Sequence, residues 1–193
     1  MVGANLNDGF NGVDSGHVRI FCLEEDNDGT RWEQIGQDID KEGAGDASGV
    51  SVSLSADGVM VAIGSPYNDV NGNASGQVRV YRTDGQGSSW ERLGQVIYGD
   101  NAYDYFGWSV NLSPDGNALA IGSPGYWEDG NRPGYVRVFA LEVGNDNLGT
   151  ATWKQIGQDI IGEANGDQFG LSVSLSDDGQ TLAVGADTNN GNN

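Results

Sequence analysis

The sequence predicts an all-β chain of four-stranded antiparallel sheets stacked as β-propeller blades, with about three repeats present. Three observations carry that reading. Short runs rich in Val, Ile, Leu and aromatics are bounded by Gly, Asn, Asp and Ser, as strands and their turns are. Four such runs recur in a fixed order at a period near sixty residues, as the spacing of Trp32, Trp90 and Trp153 shows. No stretch sustains a 3.6-residue apolar period between helix caps. A four-stranded sheet with two apolar faces must stack on neighbours, which at this period means blades. A β-solenoid needs a much shorter period, and an immunoglobulin-like array needs roughly seven strands per repeat.

Each strand position is defined by its copies. The first reads Gly49-Val50-Ser51-Val52-Ser53-Leu54-Ser55, Gly107-Trp108-Ser109-Val110-Asn111-Leu112-Ser113 and Gly170-Leu171-Ser172-Val173-Ser174-Leu175-Ser176. The second reads Val61-Ala62-Ile63-Gly64-Ser65, Leu119-Ala120-Ile121-Gly122-Ser123 and Leu182-Ala183-Val184-Gly185-Ala186. Between them lies Ser-x-Asp-Gly, at Ser55 to Gly58, Ser113 to Gly116 and Ser176 to Gly179, which is tight hairpin chemistry. The third strand is Gly-x-Val-Arg-apolar-aromatic, in Gly16 to Phe21, Gly76 to Tyr81 and Gly134 to Phe139. The fourth begins at the tryptophan, as in Trp32-Glu33-Gln34-Ile35-Gly36-Gln37-Asp38-Ile39, Trp90 to Ile97 and Trp153 to Ile160. Because these tryptophans recur at one strand position, they are assigned to packing.

These motifs resemble the FG-GAP blades of the integrin α-subunit propeller. Phe106-Gly107 and Phe169-Gly170 match the FG element, and Gly64-Ser65-Pro66 and Gly122-Ser123-Pro124 match GAP with Ser for Ala. Ser48 replaces the Phe in one copy, and Asn5 and Asp187 replace the Pro in two. The resemblance covers nearly the whole chain. It implies that the FG strand is innermost and the Trp strand outermost, and that the role is adhesion-type binding outside the cell or at its surface.

The repeats divide the chain into a partial blade at 1–40 (strands 2 to 4), complete blades at 41–99 and 100–162, and a partial blade at 163–193 (strands 1 and 2). Three blades closing on themselves would need sharper inter-blade angles than the usual four to eight blades. An incomplete propeller is therefore expected, as a piece of a longer one or an incomplete gene product, rather than a self-contained domain. The rival arrangement is a homodimer forming a six-bladed ring, each end completing the other copy's split blade.

Composition narrows the partners. Twenty-eight acids against nine bases leave a formal charge of −19, which repels phosphate backbones and anionic bilayers. Nucleic acid and membrane insertion are not expected, and no apolar run approaches eighteen residues. Cations, basic proteins and neutral sugars fit the charge, as does a surface kept soluble by its acids. Cys22 is the single cysteine, so there is neither an intrachain disulfide nor a cysteine-based metal cluster. Met1 leads into Val2-Gly3-Ala4 with no signal-peptide pattern.

In antiparallel blades the strand 4 to 1 loops and the strand 2 to 3 loops share one rim. That rim concentrates acids, amides and aromatics outside the repeat pattern, and its candidates for ligand binding are Tyr67, Asp69, Tyr103, Asp104, Tyr105, Tyr126, Trp127, Glu128 and Asp129. Exposed loop aromatics suit protein interfaces and sugar stacking, or fold back to cover sheet edges. Calcium in the integrin-like family sits in Asp-rich loops joining strands 1 and 2. Here those loops are reduced to Ser-x-Asp-Gly, too few carboxylates for a hard cation, so no cofactor is expected there. Asn7, Asp8, Asn11 and Asp14, and their counterparts Asn68, Asp69, Asn71 and Asn73, offer oxygens at calcium-compatible spacing, though Asx turns use the same residues.

Catalysis has little to build on. His17 is the sole histidine and is replaced by Gln77 and Tyr135 in the other repeats, there is no nucleophile elbow or phosphate loop, and no carboxylate pair stands apart. Arg19, Arg79 and Arg137 recur in strand 3 and are assigned to structural pairing with backbone or acids. Asn73-Ala74-Ser75 is a glycosylation sequon in a surface loop. The expected function is a non-catalytic module presenting its acidic, aromatic rim to a protein or carbohydrate. A fragment of a glycan-active enzyme using rim carboxylates and a purely architectural repeat are the alternatives.

Overall fold

The computed structural model describes residues 2–4, 15–27, 29–40, 43–84, 89–125, 132–144 and 150–188. Every element formed among them is a β-strand, and there is neither a helix nor a closed or curled sheet. In chain order the strands are β1 (Val2–Ala4), β2 (His17–Arg19), β3 (Phe21–Asp26), β4 (Gly29–Gln34), β5 (Ile39–Asp40), β6 (Ser51–Leu54), β7 (Met60–Ser65), β8 (Gln77–Thr83), β9 (Trp90–Arg92), β10 (Ile97–Tyr98), β11 (Ser109–Leu112), β12 (Ala118–Ser123), β13 (Tyr135–Val143), β14 (Ala151–Ile161), β15 (Ser172–Leu175) and β16 (Leu182–Gly185). All their ladders are antiparallel.

The sheets follow the repeat. β11-β12-β13-β14 is one four-stranded sheet, and β6-β7-β8 continues into β9 and β10, which both pair with β8. The opening repeat contributes β1-β2-β5 and the hairpin β3-β4, and the closing one β15-β16. The break between β9 and β10 falls at Gly94 (φ 81°), and the matching Gly157 (φ 70°) bends β14 without ending it. Strand-opening hairpins form as their chemistry dictates. The Ser113 hydroxyl donates to Asp115 Oδ1 (2.6 Å) and accepts from the Ala118 N–H (2.9 Å), and Gly116 takes a positive φ of 72°. Ser55 with Asp57 and Ser176 with Asp178 repeat the arrangement. Those hydroxyl donors hold the Asp57, Asp115 and Asp178 carboxyls below the ordinary range.

Successive sheets are joined at seams by contacts that recur at equivalent residues: glycine and serine contacts join the second repeat to the third and the third to the fourth, and tryptophan–glutamine contacts join the first to the second and the second to the third. Where a second strand meets the first strand of the next repeat, a Cβ on Gly64 would lie 2.0 Å from Gly107 O, and one on Gly122 would lie 2.0 Å from Gly170 O. Only glycine permits that approach. Ser51 Oγ donates to Gly107 O (2.7 Å) and Ser109 Oγ to Gly170 O (2.8 Å). The Leu112 and Leu175 N–H groups donate to Ser53 Oγ and Asn111 Oδ1. At the fourth strand Trp90 Nε1 donates to Ile35 O (3.2 Å) and Trp153 Nε1 to Leu93 O (3.1 Å). The Gln37 and Gln95 amides bond both the backbone N–H and the C=O of those tryptophans.

Two apolar cores accompany these polar contacts. Val18, Ile20 and Ile39 meet Val61, Ile63 and Trp90 in one, and Val78, Val80, Leu93 and Ile97 meet Leu119, Ile121, Phe139 and Trp153 in the other. Each such buried aliphatic side chain contributes about 1.5–3 kcal/mol, so the cores outweigh the polar contacts in cohesion. The packing role assigned to the recurring tryptophans fits Trp90 (5 % exposed) and Trp153 (2 %), but Trp32 is 68 % exposed. Each indole is received by the last strand of the preceding repeat, and the described residues present no such strand to Trp32.

Candidate recognition site

The residue preceding each FG-type pair is in the left-handed region: Ala47 (φ 52°), Tyr105 (φ 53°) and Gln168 (φ 57°). This costs roughly 1–2 kcal/mol for a non-glycine residue. Backbone bonds from Val50 N to Ala47 O, Trp108 N to Tyr105 O and Leu171 N to Gln168 O close the same turn in all three copies. The turn sets its first and fourth side chains close together. In the middle copy both are aromatic.

Tyr105 and Trp108 meet edge-on with ring centroids 5.9 Å apart, and Tyr67, from the loop after β7, meets Tyr105 at 5.3 Å and Trp108 at 6.4 Å. Edge-to-face packing at these distances is attractive beyond the area it buries. Tyr105 is largely buried and supports the group, while Tyr67 is 39 % exposed and Trp108 half-buried. The three rings line a cavity of about 450 Å³ together with Gln168 and Leu171 of the next copy and with Asp187 and Thr188. The two loop classes assigned to one rim thus converge here.

The predicted candidates divide. Tyr67 and Tyr105 line the cavity, joined by Trp108, which the loop-based reading left out because it lies beside a strand motif. Its signal was the departure of Trp108 from Val50 and Leu171 at a repeating position. Asp69 Oδ1 accepts the Ala74 N–H (2.8 Å), capping its own loop. Tyr103 is exposed and its hydroxyl accepts from Asn73 Nδ2 (3.0 Å). Asp104 is buried: Arg132 ion-pairs with it, the Tyr135 hydroxyl donates to it, and it accepts the Asn101 N–H. Tyr126, Trp127, Glu128 and Asp129 lie outside the described residues, as do Asn7, Asp8, Asn11 and Asp14. Among the described residues, no group of three or more His, Cys, Asp or Glu is placed to hold a metal ion.

A smaller cavity of about 260 Å³ lies beside Asp104, against Arg132, Tyr135 and Arg137. Its groups are committed to one another. Arg137 binds Asp159 through Nε (2.8 Å) and Nη2 (2.9 Å), contacts Asp100, and lies 4.9 Å from the Tyr135 ring centroid. Burial opposes the Arg137 charge, yet Asp159 and Asp100 more than restore it, and the same bonds hold the Asp159 carboxyl below its ordinary range. Burial, together with Asp104, pushes the Tyr135 phenol up, so it stays a neutral donor.

Arg19 repeats the pairing on Asp38, as the sequence predicts for these arginines. Arg79 departs from it. Val96 stands where Asp38 and Asp159 stand in the other copies, and Arg79, 1 % exposed, bonds Ser48 Oγ through Nη2 while Nε and Nη1 have no partner among the described residues. His17 is a buried strand residue in β2. No protein-family model matches the chain, and no curated protein matches it.

Proposed function

We propose that this chain is a non-catalytic, adhesion-type binding module. Its sheets are blades of an FG-GAP-like propeller acting outside the cell or at its surface, and its ligand is a protein or carbohydrate received on the aromatic cavity. The observation that carries the reading is the convergence of Tyr67, Tyr105 and Trp108, from two different repeats, around about 450 Å³ of open space. That volume suits a sugar residue or two, or one side chain of a partner protein. Aromatic faces beside an amide, a carboxylate and a hydroxyl provide stacking and hydrogen bonding together. The formal charge of −19 directs the choice toward neutral sugars and basic protein surfaces.

The blade assignment is supported by the seam. Equivalent glycine approaches, serine bonds and Trp–Gln clasps recur from junction to junction, and first strands lie beside first strands, as a repeated step requires. Repetition of one step about an axis is how propellers are built. Glycan-array and protein pull-down binding, read against Trp108→Ala and Tyr67→Ala, test the function. Binding that falls at least about 10-fold in both variants at unchanged stability is expected. Binding indifferent to both rings would overturn the reading.

A further inference from the structure

The arginines of the third strand meet their charge in two ways. Arg19 grips Asp38 through its Nε–Nη2 edge (3.0 and 2.9 Å), and Arg137 grips Asp159 through the same edge (2.8 and 2.9 Å). Arg79 has no such partner. Val96 stands at the place of the aspartate, and no carboxylate among the described residues lies within ion-pair distance of Arg79. Yet Arg79 is only 1 % exposed, whereas the Arg19 and Arg137 side chains keep 47 % and 13 % of their surface in water. A guanidinium withdrawn from water without an opposite charge is strongly unfavourable, so Arg79 calls for a compensating anion.

The polar atoms beside it are short of acceptors. Nη2 donates to Ser48 Oγ (3.1 Å), but Nε and Nη1 have no acceptor among the described residues. Ser48 is itself buried, and having accepted from Nη2 it keeps a hydroxyl hydrogen to donate. In the next copy Phe106 holds this place, its ring 5.8 Å from the Arg137 guanidinium carbon, so a donor stands here where an apolar ring stands there. Ser65 lies on the same face as Arg79, since Ile63 is paired opposite Arg79 and Ser65 follows two residues on. Its buried hydroxyl also has no partner among the described residues, whereas its counterpart Ser123 gives its hydrogen to Asp104 O (2.6 Å). The Ser48 N–H donates to Ser15 O (3.2 Å), which places the group where the first and second repeats meet. Compared with its sister copies, this junction lacks an anionic oxygen at position 96 and carries an extra hydroxyl at position 48, both beside a buried positive charge.

We propose that Arg79 binds a halide ion, chloride in ordinary buffers, against its Nε–Nη2 edge, with the Ser48 hydroxyl as a further donor. The ion takes the part that the Asp38 and Asp159 carboxylates take in the other copies. A water molecule can accept from Nε but brings no charge, and the burial of Arg79 and Ser48 favours a single atom over a phosphate or sulfate. The formal charge of −19 opposes any anion at long range, yet at 0.15 M salt that field is screened beyond about 8 Å, while the guanidinium acts at contact. The ion is structural: it ties the stability of the junction between the first and second repeats to chloride. This does not rest on the aromatic cavity, so failure of the sugar or protein binding test leaves it untouched.

Urea unfolding of the 193-residue chain tests it, with sodium chloride exchanged for sodium gluconate at constant ionic strength. As chloride rises from about 1 mM to about 150 mM the midpoint should climb, and above the dissociation constant the folding constant should grow nearly tenfold for each tenfold rise in chloride. Val96→Asp installs the residue that the sister repeats carry, so it should fold, and its built-in carboxylate should make the midpoint independent of which anion is present. Its gain over the parent is then greatest without chloride. Chlorine NMR reads the ion itself: the folded parent should broaden the chloride line, and Val96→Asp should remove that excess width. A parent whose midpoint ignores chloride and whose chloride line stays narrow overturns the proposal, because water or the backbone then suffices for Arg79. A chloride dependence that persists undiminished in Val96→Asp also overturns it, since the ion then acts elsewhere on the chain.

Discussion

Truncating the three repeat tryptophans in parallel tests the seam, because one motif position occurs in three copies at very different burial. Trp153 is 2 % exposed, gives its N–H to Leu93 O, lies against the Gly94 backbone, and has its own backbone clasped by Gln95. Removing a buried Trp side chain costs about 3–5 kcal/mol through lost burial and the cavity left behind, and the unpaired Leu93 carbonyl adds about 1 kcal/mol. Trp153→Phe keeps most of the packing and should cost about 1–2 kcal/mol, mainly for the N–H. Trp90→Ala should resemble Trp153→Ala. Trp32→Ala, at a site 68 % exposed, should stay within about 0.5 kcal/mol in dilute protein. Urea unfolding followed by circular dichroism reads this directly: with an m value near 2 kcal/mol/M, the buried truncations lower the midpoint by about 2 M at unchanged m. If Trp32→Ala lowers the midpoint as far as Trp153→Ala in dilute solution, the assignment of these indoles to the preceding repeat is wrong.

Two further outcomes follow from the arginine row. Val96→Asp gives Arg79 the carboxylate that Asp38 and Asp159 supply to Arg19 and Arg137, and should raise stability by about 1–2 kcal/mol in the same urea assay; a loss of stability would mean that Arg79 is already compensated. The second concerns acid. Because Arg19 and Arg137 depress the Asp38 and Asp159 carboxyls, their stabilisation is present above the ordinary aspartate value of about 3.9 and is lost as pH falls through the lower folded values. Protonating the many other acids relieves self-repulsion in the opposite sense, so the informative quantity is a difference. The gap in melting temperature between the parent and Asp159→Asn should be largest near neutrality and narrow as pH falls below the ordinary aspartate value of about 3.9. A gap that is constant with pH would show that the pairing carries no linkage.

The periodic parts of this fold were legible because period, turn chemistry and strand composition all point the same way. Ser-x-Asp-Gly specified its hairpins residue by residue, and the order of four strands per repeat follows from motif order alone. What escaped depends on neighbours in space. Trp32 carries the same local motif as Trp90 and Trp153, and no local signal says that its receiving strand is missing among the described residues. Asp104 reads as a loop acid beside tyrosines, yet Asp46, Asp104 and Asp167 recur three residues before the FG-type glycine and all are buried. Asp104 thus recurs at a fixed position as the tryptophans do, and belongs with the buried framework and not with the exposed rim. Trp108 is the converse case, an aromatic hidden inside a repeating motif and revealed only by its departure from Val50 and Leu171.

On the function proposed, a repeat of this kind can change its ligand at the cavity without changing its fold. Its rings stand on a turn fixed by backbone bonds and one left-handed residue, and that turn is the same whether it carries Ala47 and Val50, Tyr105 and Trp108, or Gln168 and Leu171. The sheets beneath cohere through their apolar cores and are joined at glycines and serines, chiefly through main-chain oxygens, and at the fourth strand by the Trp–Gln clasp. Neither set of contacts uses the side chains that face the cavity. Substitution at the turn is therefore free to follow recognition, while substitution at Gly64, Gly122 or the clasping glutamines is constrained by the seam. Because the cavity draws Tyr67, the Tyr105–Trp108 pair and Gln168 from three successive repeats, its shape depends on the seams even though its chemistry does not.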